Sequence, residues 1–202
     1  TNSLIKKIDL INSKNDAEYD SIVASGEQVA AGLMALALQE LNIPARSWLG
    51  WQLPIYTSGT HRYAAISKIE SKNILEGFKK KEVAVVAGFQ GISLDGRITT
   101  IGRGGTDNTA VFLASAINAE RCDIYTDVDG VYTADPRIVD NVKRLDKVSY
   151  EEMIEMASQG AKVLQTTSVE SAINHNVKLQ VRSTFDPDNK GTLISEDIQS
   201  NE

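Results

Sequence analysis

The run Glu82-Val83-Ala84-Val85-Val86-Ala87-Gly88 is short, continuously apolar and closed by glycine. That pattern marks a strand buried on both faces, which occurs where helices cover a parallel sheet. Further strands are predicted at Ala45 to Trp48, Ala64 to Ile69, Ile98 to Ile101, Cys122 to Thr126, Leu179 to Ser183 and Gly191 to Ile194. Between them the apolar spacing is helical. Leu4, Ile8 and Ile11 share one face of a short helix that Asn2 or Ser3 can cap. Ile22, Val29, Leu33, Leu36, Ala37 and Leu41 recur through a long helix from about Tyr19 to Leu41, which Asn42-Ile43-Pro44 ends. Other helices are predicted over Asn73 to Lys81, Asp107 to Asn118, Val148 to Ser158 and Ser168 to His175. The stretch holding Gly50, Pro54 and Gly59 reads as irregular, and Gly91 with Asp95-Gly96 as a hairpin. Alternating strands and helices give an α/β class, with a mainly parallel sheet covered on both faces as a three-layer α/β/α sandwich.

Composition narrows the function. A chain of 202 residues suits one sizeable domain. A net charge of -6 with pI near 5.0 excludes a phosphate-backbone binder, which needs a basic stripe, so no nucleic acid is expected. The single Cys122 cannot form an internal disulfide, and two His give no metal-ligand cluster. No apolar run is taken to reach membrane-spanning length, so no membrane is expected, and a cytoplasmic setting follows.

Two segments carry chemistry. Gly102-Arg103-Gly104-Gly105-Thr106-Asp107 lies between a strand and a helix, in the crevice where open α/β sheets bind ligands. Its glycines let backbone approach an anion, Thr106 or Asp107 can cap the helix, and the helix dipole favours phosphate or carboxylate. Arg103 offers a bidentate fork for a carboxylate. A tight glycine turn with a solvent-facing Arg has the same residues. The dinucleotide fingerprint is excluded because Asp107 stands where glycine or alanine is needed, and a Walker loop because Arg97 and Ile98 replace Lys and Ser/Thr.

The second segment runs Tyr125-Thr126-Asp127-Val128-Asp129-Gly130-Val131-Tyr132-Thr133-Ala134-Asp135-Pro136-Arg137 from a strand end. A calcium loop is excluded, since Val131 and Ile138 fall where oxygen ligands are required. A nucleotide rim fits better: Thr126 and Asp127 at the strand end, Tyr132 as a flat partner for a base, Arg137 near phosphates. An acidic surface loop is the plain alternative. His61 reads as a surface residue, His175 as a helix-end residue, and Cys122 as packing. Trp48 and Trp51 are assigned to core or interface, and Lys79-Lys80-Lys81 to a solvated helix end.

Taken together, Phe89 to Arg137 resembles the aspartate kinases of the amino-acid kinase family, which have a Gly-Arg-Gly-Gly-Ser/Thr-Asp loop followed by a Tyr-Thr-Asp-Val-x-Gly-x-Tyr-Thr-x-Asp-Pro-Arg segment. Ser25-Gly26-Glu27 and Gly160-Ala161-Lys162-Val163-Leu164 match two more of that family's motifs, so the resemblance covers nearly the whole chain. It implies transfer of the γ-phosphoryl of ATP, with Mg2+, to the β-carboxylate of L-aspartate, the first step toward lysine, threonine, methionine and diaminopimelate. By position, Glu27 would hold the substrate amino group and Arg103 its α-carboxylate, with Thr1, Ser25, Gly104 and Thr106 adding substrate contacts. Asp107 would organise catalytic lysines. Thr126, Asp127, Tyr132, Asp135 and Arg137 would line the ATP site, and Lys162 would neutralise phosphate. No resident metal ligand is implied, and a homo-oligomer is. Residues 1–194 would form an N-terminally incomplete catalytic domain, lacking a Lys-Phe-Gly-Gly strand and C-terminal ACT domains, with 195–202 a polar tail. The alternatives are a non-catalytic nucleotide-binding or assembly remnant, and a kinase of acetylglutamate, glutamate or UMP.

Overall fold

The computed structural model describes residues 2–11, 14–102, 104–135, 138–159 and 163–196. The chain divides into two compact units, Thr1–Thr109 and Ala110–Glu202. The first begins with α1 (Asn2–Ile11) and α2 (Asp16–Glu40). Asn15 starts α2 by accepting hydrogen bonds from the Ala17 and Glu18 amides at 3.1 and 3.2 Å, and Asp16 and Glu18 in the first turn favour the helix dipole.

Which face of α2 is buried differs from the sequence expectation. The row Val29, Leu33, Leu36 and Leu41 points outward, each at least 62% exposed, and Ile22 is also exposed. The inward stripe is Asp20, Val23, Ala24, Ala31 and Ala35, laid on β1 (Ala45–Trp48) and, beyond it in sequence, β6 (Ile98–Thr100). Small side chains let helix and strands approach closely, so the alanines rather than the leucines make the contact. In α1 only Ile8 is buried, while Ile11 is exposed. By length and composition alone α2 is also apolar enough to cross a membrane, with a hydropathy of 1.4 over its most apolar stretch. That revises the expectation that no run reaches this length.

β1 pairs in parallel with β4 (Val83–Val86) through α3 (Lys72–Lys79), a crossover connection. β4 is less buried than its apolar run suggests, with Val83 40% exposed. The stretch expected to be irregular contains β2 (Ile55–Ser58), whose Ile55 and Thr57 are buried. β2 pairs antiparallel with β3 (Ala65–Ile69) and parallel with β5 (Gln90–Ile92). β5 returns as β6 through the expected hairpin, where Gly96 takes φ +79. Trp48 is in the core and Trp51 is half exposed.

In the second unit, whose first residues continue α4 (Gly105–Ala116), β7 (Cys122–Thr126) pairs in parallel with β11 (Leu179–Ser183). β12 (Thr192–Ile194) is antiparallel to β11 and parallel to β10 (Lys147–Val148). A small antiparallel pair joins β8 (Val131–Tyr132) to β9 (Arg144–Leu145). The helices are α5 (Tyr150–Ser158) and α6 (Thr166–His175). Ser149 and Glu152 form a reciprocal capping box at the start of α5. α6 ends at Asn176 in the left-handed region, φ 51. The core gathers Val111, Ile124, Val131, Met153, Val169, Leu179, Val181 and Ile194, and includes the buried Cys122. The α/β class is borne out.

Candidate active site

In the first unit two strand exits converge. β4 leaves through Ala87 and Gly88 to Phe89, and β6 leaves through Ile101 to Gly102 and the start of α4. Together with Glu27 from α2 they border an open cavity of about 220 Å³, lined by Glu27, Phe89, Gly102, Gly104, Gly105, Thr106 and Asp107. Glycine is required in the turn on two counts. Gly104 has φ +73, and a Cβ on Gly105 would lie 2.9 Å from both Ile101 Cβ and Phe89 Cδ2. The Gly105 amide donates to the Gly102 carbonyl at 2.9 Å, closing the turn that launches α4.

A cavity that offers carboxylates and the positive end of a helix dipole suits a zwitterion. Glu27 can take an ammonium, and the amides of the helix start can take a carboxylate. Asp107 is in the first turn of α4, so neither it nor Thr106 caps the helix from outside as expected. Burial pushes the Asp107 carboxyl above the ordinary value. An acid raised in the folded state favours folding below its unfolded pKa and loses that contribution as pH rises through the folded value. Asp107→Asn is therefore expected to melt higher than the parent at pH 7, with the gap closing as pH falls below the usual carboxylate range. Thermal melts across that window check it, and equal melting points at pH 7 would count against the burial cost.

The structure brings Glu27, Gly104, Thr106 and Asp107 together at this cavity. Ser25 is close in sequence but its hydroxyl donates to the Ile22 carbonyl at 2.6 Å, and it does not line the cavity. Thr1, Arg103, Arg137 and Lys162 lie outside the described residues.

The nucleotide-rim residues belong to the second unit. Thr126 ends β7 and donates to Asp127 Oδ1 at 3.1 Å. Tyr132 on β8 donates its phenol to Asp129 Oδ1 at 2.9 Å, and this bond leads the causes that raise the phenol's pKa. The Asp135 carbonyl accepts from the Ile138 and Val139 amides, both at 3.0 Å. Among the described residues no group of three or more His, Cys, Asp or Glu could hold a metal.

Four residues were missed in sequence. Phe89 lines the cavity with φ +65, a strained position for a bulky side chain. Thr109 accepts from its amide at 3.1 Å. Gln90 is buried beside it, donating to the Ala24 carbonyl and accepting from Gln28, both at 3.1 Å. Asp20, fully buried, takes hydrogen bonds from the Arg62 amide and from Thr100 and pairs with His61 Nδ1 at 2.8 Å. His61 is thus anchored rather than a loose surface residue. The φ and the long-range partners leave no periodic trace, so only the position of Phe89 beside the glycines could have hinted at it.

A carboxylate-lined cavity at a strand-glycine-helix turn, on an α/β scaffold, places the chain in a class, and the chain belongs to the amino acid kinase family, whose sequence model matches residues 2–183. It is 47% identical over 199 residues to the aspartokinase of Rickettsia prowazekii (strain Madrid E), covering 96% of this chain and 45% of that protein. To the aspartate kinase of Pseudomonas fluorescens (strain SBW25) it is 51% identical over 180 residues, 89% of this chain and 43% of the relative. The chain therefore spans about half the length of the curated relatives it matches. Among solved structures, E. coli aspartokinase III in complex with aspartate and ADP superposes with TM-score 0.83 at 31% identity, over 98% of this chain and 46% of that one. UMP kinase from Bacillus anthracis, at 18% identity and TM-score 0.64 over 92% of this chain and 72% of that one, shares the fold.

Proposed function

We propose that this chain carries the aspartate-binding and nucleotide-binding parts of an aspartate kinase, which transfers the γ-phosphoryl of MgATP to the β-carboxylate of L-aspartate. One observation carries the reading: Glu27 from α2 lines the same cavity as the glycine turn and the first turn of α4. Glu27 takes the substrate ammonium, while the turn and α4 take its α-carboxylate, with Arg103 and Thr1 as further substrate residues. Asp107 and Lys162 are the catalytic residues, with Lys162 neutralising phosphate. Thr126, Asp127, Tyr132, Asp135 and Arg137 take ATP. The complex of the E. coli neighbour with aspartate and ADP supports both ligand assignments.

The acceptor carboxylate is already a nucleophile at neutral pH, so the site needs no general base. Its work is alignment and cancellation of charge on the group in flight. Mg2+ is commonly held by one or two carboxylates and substrate phosphates rather than by a protein cage. The outward apolar row of α2 supports a homo-oligomer that covers it, and a cytoplasmic setting completes the reading.

The test incubates the chain with MgATP, L-aspartate and hydroxylamine, which traps the acyl phosphate as a hydroxamate. Aspartyl hydroxamate is the expected product. Binding of both ligands without product identifies a non-catalytic remnant, and failure to bind aspartate overturns the substrate assignment.

A further inference from the structure

We propose that the Thr109 hydroxyl is a positioning group of the cavity, locking the strained Phe89 wall to the glycine turn. Thr109 is one turn along α4 from Gly105 and only 3% exposed. Its hydroxyl donates to the Gly105 carbonyl at 2.7 Å and accepts from the Phe89 amide at 3.1 Å. A hydroxyl has one proton to give and two lone pairs to receive, so the geometry uses it in both directions.

The first bond alone is ordinary, since Ser and Thr in helices often bond the carbonyl four residues back. The second is not local: it reaches a residue on another segment, 20 positions away. Phe89 is held at φ +65, a conformation that persists only where the surroundings over-determine it. Its amide goes to Thr109, and its carbonyl accepts from the Ile101 amide at 3.0 Å. Its ring also lies where a Cβ on Gly105 would come within 2.9 Å. Both segments that Thr109 joins line the cavity, while Thr109 does not line it itself. It acts through Phe89 and Gly105.

This inference rests on aspartate as the ligand of that cavity. The experiment compares Thr109→Val, which keeps the shape and loses the hydroxyl, with Thr109→Ser, which keeps the hydroxyl. Two quantities are read: hydrogen exchange at the Phe89 amide, and calorimetric affinities for L-aspartate and for ATP. In the Val variant, exchange at Phe89 should accelerate and aspartate affinity should fall about tenfold, the scale of one lost hydrogen bond. The ATP affinity should hold, and Ser should restore the parent values to within about threefold. A chain that was merely destabilised would lose both ligands. Should Val fail to fold, Thr109→Ala removes the same hydroxyl without crowding and takes its place in the comparison. Parent-like aspartate affinity in the Val variant overturns the proposal, as does a Ser variant as impaired as Val. A parent chain that binds no aspartate overturns the substrate reading instead. The positioning claim is then decided by exchange at Phe89, and unchanged exchange in the Val variant sinks it.

Discussion

Replacing Asp20 by alanine is expected to lower the melting temperature by roughly 10 °C, a loss of about 3 kcal/mol or more. The carboxylate is fully buried on α2. It accepts from the Thr100 hydroxyl at 2.6 Å and the Thr100 amide at 3.0 Å. The Arg62 amide adds a bond at 3.0 Å, and His61 Nδ1 lies 2.8 Å away. Alanine would strand the two buried Thr100 donors, at about 1–3 kcal/mol each, and free the part-buried Arg62 amide and His61. Some will find water, which is why the expected total is well below the sum. Asparagine should recover only part of the loss, because its amide turns two further donors toward a site already filled with donors. Circular-dichroism melts of both variants check this. A fall below about 3 °C for alanine would show that the donors are readily resatisfied.

The second large effect concerns the ligand. Glu27→Gln is expected to weaken L-aspartate binding about 10- to 100-fold while leaving ATP binding near the parent value. A hydrogen bond to a charged group is worth about 1.5–3 kcal/mol, and each 1.4 kcal/mol is a factor of ten in affinity. Glutamine keeps the length and one acceptor oxygen of Glu27 but loses the charge that an ammonium requires. Calorimetric titration with aspartate and with ATP separates this from general damage. If aspartate affinity stays within twofold, its ammonium is held elsewhere and the cavity assignment fails. Succinate, or another diacid without the amino group, should discriminate poorly between the parent and the Gln variant.

Much of this was legible in the residues. The β4 run and the strand at Cys122 announced the α/β class, and the glycines before Thr106 announced the turn at the start of α4. Gly104 and Gly105 were legible because backbone geometry restricts them to glycine. The buried face of α2 was not legible, because the helix is apolar nearly all round and hydrophobicity favours Leu33 and Leu36 over Ala31 and Ala35. Packing against strands favours the reverse. β2 was hidden by the Pro54 and Gly50 that precede it, and β8, β9 and β10 are two residues long, too short for any period to register. Asp20 and Thr109 escaped for a further reason. The partners that give them meaning lie 20 to 80 residues away, and no local pattern encodes such a bond.

Asp20 and Glu27 stand seven residues apart on α2, almost two full turns, and so share a face. One is anchored to β6, and the other lines the cavity proposed to hold aspartate. This makes α2 a measuring rod between them. Inserting one residue among positions 21 to 26 would keep every side chain's chemistry yet swing Glu27 by about 100° away from the cavity. For the proposed recognition of aspartate, the spacing of this helix thus counts as much as the carboxylate it presents.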